Sequence, residues 1–143
     1  MSVERFEVFA RSSASPEAVW RLLADASSWK EWTKLTTAEL EREGVPEPDG
    51  VGAIRRLGRA GRVSREEVLE FEAPTHLAYT ILSGVPVKNY RADVHLTPDG
   101  GGTLIAWRAS FEPTRAATGV AIRVFFTYFL RDVARRLAKC AAR

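Results

Sequence analysis

The sequence predicts an α+β domain: a curved antiparallel seven-stranded sheet wrapped around a long C-terminal helix, with two short helices after strand 1. Three observations predict it. One strand-like segment precedes two short helical stretches. Six strand-like segments then follow at short spacing, which gives an antiparallel meander. Residues 118–143 close the chain as one amphipathic stretch, and a long helix arriving after strands must cover one face of their sheet. The 143 residues fit a single domain, 1–143, and a hydrophobic content of 45% suffices for its core.

Residues 3–11 alternate, with Phe6, Val8 and Ala10 on the more uniformly apolar face of a first strand. Ser15-Pro16-Glu17 starts a helix: the serine caps, the proline suits the first helical position, and the glutamate complements the helix N-terminus. This helix is expected to bury Val19, Trp20, Leu22, Leu23 and Ala26, and Ser27 or Ser28 opens a second short helix carrying Trp29 and Trp32. Further strands are expected at 36–43, 53–57, 62–73, 76–83, 90–96 and 103–111, separated by turns rich in Gly and Pro. Tyr90, Ala92, Val94 and Leu96 share one strand face, and Ile105, Trp107, Ala109 and Phe111 point inward from the last strand. The strand at 62–73 has two readings. Period 2 from Val68 points Glu66 and Ser64 inward, whereas Val63, Leu69 and Phe71 support the opposite register; a β-bulge reconciles both. The terminal helix presents a wide apolar face from Ile122 through Phe125, Phe126, Phe129, Leu130 and Val133 to Leu137 and Cys140.

Composition and spacing argue against several functions. The 21 Lys and Arg exceed the 18 Asp and Glu by only 3, so no nucleic-acid partner is expected. No apolar run approaches the roughly 18 to 20 residues of a membrane span, so no stable membrane insertion is expected. The N-terminus carries charges and strand alternation where a signal peptide has an apolar core, which predicts a cytoplasmic location. The single cysteine, Cys140, cannot form an internal disulfide and reads as a packed residue. His76 follows a turn and is expected to be solvated. His95 lies on a polar strand face with Arg91 and Asp93 and is expected to be exposed. Neither has metal-ligand spacing with another His or Cys, so no metal is expected. Gly100-Gly101-Gly102 lies between antiparallel strands with no helix after it, and reads as a hairpin turn instead of a phosphate loop. Arg131, Arg135 and Arg136 form a basic stripe, read as a solvated face, with docking to an anionic membrane as the alternative.

The order of elements is carried by specific residues: Ala14-Ser15-Pro16-Glu17-Ala18-Val19-Trp20, Ser28-Trp29-Lys30-Glu31-Trp32, Arg65-Glu66-Glu67-Val68-Leu69-Glu70-Phe71, Leu77-Ala78-Tyr79, and Gly101-Gly102-Thr103-Leu104-Ile105-Ala106-Trp107. With these, nearly the whole chain resembles the START-like (SRPBCC) superfamily, the helix-grip fold, and within it the polyketide cyclase/dehydrase and lipid-transport family. The resemblance implies a cavity between sheet and terminal helix. Tyr79, Tyr90, Trp107, Phe111, Phe125 and Phe129 are the candidate ligand-binding residues, although aromatics at these spacings also serve simply to fill a core. If Glu66 points inward, it is a candidate catalytic general base for aldol-type cyclisation or dehydration. The expected function is binding or transport of a small hydrophobic, lipid- or polyketide-like molecule, without a cofactor. A polyketide cyclase or dehydratase is the alternative, and a protein-interaction module without ligand is a further one. Monomer and homodimer both stay open.

Overall fold

The computed structural model describes residues 2–143. Strand β1 (Glu4–Ser12) leads into helix α1 (Pro16–Ala24), a 3-10 turn (Ala26–Ser28) and the short helix α2 (Trp29–Trp32). Six strands follow: β2 (Thr37–Arg42), β3 (Ile54–Arg59), β4 (Arg62–Glu72), β5 (His76–Ser83), β6 (Val87–Asp99) and β7 (Gly102–Pro113). Helix α3 (Gly119–Ala141) closes the chain. The seven strands form one antiparallel sheet in the order β1-β7-β6-β5-β4-β3-β2. The two short helices carry the chain from one sheet edge to the other, so β2 begins as far from β1 as the sheet allows. This is the helix-grip fold the sequence predicts.

Local chemistry explains where the elements start and how they are fixed. Ser15 Oγ accepts from the Ala18 amide at 3.2 Å, and Pro16 occupies the first turn of α1. Two indole donors then lock the α1–α2 corner: Trp29 Nε1 donates to the Leu23 carbonyl and Trp32 Nε1 to Ser28 Oγ, each at 3.1 Å. Helix α3 packs against β1 and β7. It is tied down at both ends, by Arg123 Nη1 donating to Glu4 Oε1 at 2.9 Å and by Ser12 Oγ donating to the Ala138 carbonyl at 2.7 Å.

The ambiguous register of β4 is resolved by bulges between Arg65 and Glu66 and between Val68 and Glu70. Glu66 and Val68, two apart in unbroken register, are both buried by period 2, and the second bulge lets Phe71 pack edge-on against Trp20 at 5.0 Å. Strands β6 and β7 run several residues past their expected ends, because their pairing with each other continues to Asp99↔Gly102 at one end and Val87↔Pro113 at the other. The expected face of α3 was too wide. Phe126, Leu130, Val133 and Leu137 are buried, but Phe125 is 61% exposed. Neighbouring helical residues point about 100° apart, so the turn that sends Phe126 into the core sends Phe125 to the rim.

Candidate functional site

Because α3 lies over β1 and β7, the part of the sheet formed by β3, β4 and β5 is not filled by it. A cavity of about 520 Å³ remains there, within the range that holds a small organic ligand. Its walls are mostly apolar: Leu57 and Ile81 come from the sheet, and Ile122, Phe126, Phe129 and Leu130 from α3. At its mouth stand Phe125, Arg59 and Arg62 beside the β3–β4 turn, and Gly84-Val85-Pro86 between β5 and β6.

The six aromatic candidates divide into two groups. Tyr79, Phe125 and Phe129 line the cavity. Tyr90, Trp107 and Phe111 do not; they are fully packed in the core. Tyr90 and Phe111 belong to β6 and β7, under α3, where Phe126 fills the space against them at ring separations of 5.3 and 6.0 Å and stacks on Phe6 at 5.8 Å. Trp107 stands behind Tyr79, and its Nε1 donates to the Tyr79 hydroxyl oxygen at 3.1 Å. That bond leaves the Tyr79 proton available to a further acceptor.

Polar groups converge on the inner end of the cavity. Glu66 lines it, with a side chain 11% exposed. Its cross-strand neighbour Arg55, side chain 1% exposed, donates from Nη2 to Glu66 Oε1 at 3.3 Å. Arg55 also donates from Nη1 to the Leu23 carbonyl at 3.3 Å, near the negative end of the α1 dipole. The guanidinium lies 4.9 Å from the Trp29 ring centre and 5.7 Å from that of Tyr79. Arg55 Nε is buried with no partner among the described residues. Burial pushes the Glu66 pKa above the usual carboxylate range, against the opposing pull of Arg55. Burial first, and then the Glu66 charge, raises Tyr79; burial raises Tyr90 as well, so both phenols stay protonated at neutral pH. The inner end can therefore offer a carboxylate and a phenol to a ligand's polar group.

Arg55 escaped the sequence reading although its signal was present. Period 2 through Ala53, Arg55 and Leu57 puts the arginine on an inward face, and such a position calls for a buried acid opposite. The mouth arginines, Arg59 and Arg62, carried no comparable signal, because a turn arginine is usually just solvated.

Two other expectations need correction. His76 is not a solvated turn residue: its ring stacks on its cross-strand partner His95 at 4.3 Å, Nε2 bonds Asp93 Oδ1 at 2.7 Å, and Nδ1 bonds Glu72 Oε1 at 3.1 Å. Strand pairing also brings donor atoms of Glu70, His76 and Asp93 within 4.8 Å of one another, which linear spacing did not suggest. Arg91, however, bonds both Glu70 and Asp93, so a cation already occupies the acidic pair. The basic stripe of α3 is divided: Arg136 pairs with Asp132 at 2.9 Å, and Arg135 lies beside Lys139 and Arg11 at the far end of the helix. Cys140 packs against the core as expected.

The curved sheet, the gripping helix and the cavity between them define a helix-grip domain with room for a ligand. The chain belongs to the family described as polyketide cyclase / dehydrase and lipid transport, whose profile matches residues 4–143. Among solved structures it is similar to a START superfamily protein from Mycobacterium smegmatis, with a TM-score of 0.80 and 13% identity over 96% of each chain. It is also similar to XoxI from Bacillus cereus, with a TM-score of 0.77 and 20% identity, covering 98% of this chain and 95% of that one. Norcoclaurine synthase from Thalictrum flavum, solved with dopamine and hydroxybenzaldehyde, superposes with a TM-score of 0.74 at 16% identity, covering 97% of this chain and 86% of the synthase. At these identities the likeness establishes the fold. No curated protein matches by sequence. Family and fold are consistent with hydrophobic ligand binding or a polyketide cyclase-like function.

Proposed function

We propose that the protein binds one small, largely apolar molecule, lipid- or polyketide-like, with a polar group of that molecule against Glu66 and Tyr79. The observation that carries the reading is the cavity of about 520 Å³, apolar along its walls and polar at its inner end. Apolar walls supply affinity through surface removed from water, and a few placed polar groups set orientation. Tyr79, Phe125 and Phe129 are the ligand-binding residues in this reading; Tyr90 and Trp107 act through Tyr79 by packing against it. Native mass spectrometry of freshly purified protein tests it. The expected result is a complex with one lipophilic molecule, identified after organic extraction and lost from an Ile122→Trp variant whose larger side chain fills the cavity.

Catalysis of a cyclisation or dehydration is the second reading, favoured by one observation. Glu66 lines the cavity with a raised pKa, which makes its carboxylate a stronger base than an exposed one. Under this reading Glu66→Gln abolishes turnover of a poly-β-keto thioester while leaving its binding within a few-fold. Equal turnover by both proteins removes Glu66 as the base.

A further inference from the structure

We propose that the rim of the cavity docks on an anionic lipid bilayer. This goes beyond ligand binding and needs only that the cavity opens at this face, whatever molecule fills it. Helix α3 exposes Val120, Val124, Phe125 and Tyr128. Val120, Val124 and Tyr128 follow one another at four-residue spacing and so form a single line along the helix, with Phe125 joining that line to the cavity mouth. Scattered exposed apolar residues need no explanation, but a continuous stripe beside a cavity mouth does.

The mouth charges beside the stripe are positive, and the acid at its start, Glu4 against Gly119, is paired with Arg123. Arg59 and Arg62 line the same mouth as Phe125, and the Arg131 guanidinium lies 5.5 Å from the Tyr128 ring centre. Residues 119–131 contain no Asp or Glu, and the first acid after them, Asp132, is paired with Arg136. Among the described residues, Arg59, Arg62 and Arg131 take part in no ion pair. An apolar helix face with aromatic side chains and a cationic border suits the boundary between acyl chains and anionic headgroups. A second copy of the chain suits it poorly, because a twofold contact that buries the stripe gathers the unpaired arginines of both copies at one interface, while the acids nearest on and beside α3, Glu4 and Asp132, are already paired. The bilayer also accounts for the position of the stripe: a water-insoluble ligand passes between membrane and cavity past Phe125 without entering bulk water.

Co-sedimentation with vesicles tests the proposal, using phosphatidylcholine alone and phosphatidylcholine mixed with phosphatidylglycerol. Binding is expected to the mixed vesicles only, and to weaken as salt is raised. Each arginine near the surface is worth about a fivefold effect, so Arg59→Ser with Arg62→Ser lowers binding about 25-fold. Val124→Ser with Tyr128→Ser lowers it at least about tenfold, since both side chains leave the acyl region. Arg135→Ser, at the far end of α3, leaves it unchanged. Absence of binding, equal binding to both vesicles, or indifference to the rim variants overturns the proposal. So does a dimer in solution that Tyr128→Ser converts to monomer, which assigns the stripe to a second copy. A protein that fails with vesicles but still takes up a cavity ligand keeps the binding function and loses only the docking face.

Discussion

Glu66 and Arg55 are worth more as a pair than their individual bonds suggest. An arginine 1% exposed cannot shed its proton, so removing the carboxylate strands a full charge in the core. Glu66→Ala is expected to cost about 3–5 kcal/mol in urea unfolding. Glu66→Gln, which keeps an acceptor for Nη2, costs clearly less. Equal losses for the two variants would mean that the stranded Arg55 charge alone, and neither the kept acceptor nor the filled volume, sets the cost. The histidine stack supplies a second test at this scale. Burial pushes the His76 pKa down, but hydrogen bonds to Asp93 and Glu72 outweigh it and the net shift is upward; burial and the His76 charge together push His95 down. Because His76 is raised in the fold, its contribution to stability is fully present below its unfolded pKa of about 6.5 and is lost as pH rises through the folded value. His95 has the opposite sign: it costs stability as pH falls through 6.5 and below. NMR titration of the ring protons is therefore expected to show His76 protonating first on acidification and His95 well after. Coincident titration would contradict the geometry of the stack.

At the scale of the element, α3 does two jobs along one length. Its C-terminal half is an anchor: Leu137 is fully buried, and Leu137→Ala is expected to cost about 2–5 kcal/mol in urea or thermal unfolding. Its N-terminal half forms the cavity wall and mouth, and Phe125→Ala is expected to change stability by less than about 0.5 kcal/mol while weakening ligand uptake. The sequence made much of this legible. The existence, order and type of every strand and α-helix followed from period and turn chemistry, though the 3-10 turn at Ala26–Ser28 did not, and the β4 bulge could be anticipated from the conflict between Glu66 and Phe71. The site was legible only in part. Whether Phe125 or Phe126 enters the core depends on how α3 is rotated, and periodicity across a run of four aromatics in five residues does not set that angle. Likewise, Tyr90, Trp107 and Phe111 point inward just as Tyr79 does; which of them border empty space depends on which strands α3 covers. The Arg55–Glu66 contact needed the β3–β4 register, which couples residues 11 apart across a turn.

For the whole molecule, the asymmetric seat of the helix matters most. By packing on β1 and β7, α3 completes a core at one side of the sheet and leaves a cavity at the other, with Tyr79, Phe126 and Leu130 serving both as core and as cavity wall. Among the described residues no helix is long and apolar enough to cross a membrane. The cavity is expected to accept a small lipophilic molecule. Titration with the fluorescent probe 1-anilinonaphthalene-8-sulfonate, followed in parallel on the native protein and on Ile122→Trp, tests it most directly. Saturable uptake of one probe per chain by the native protein, lost in Ile122→Trp without a fall in melting temperature, is the expected result. No uptake by the native protein, or equal uptake by the filled variant, would contradict it.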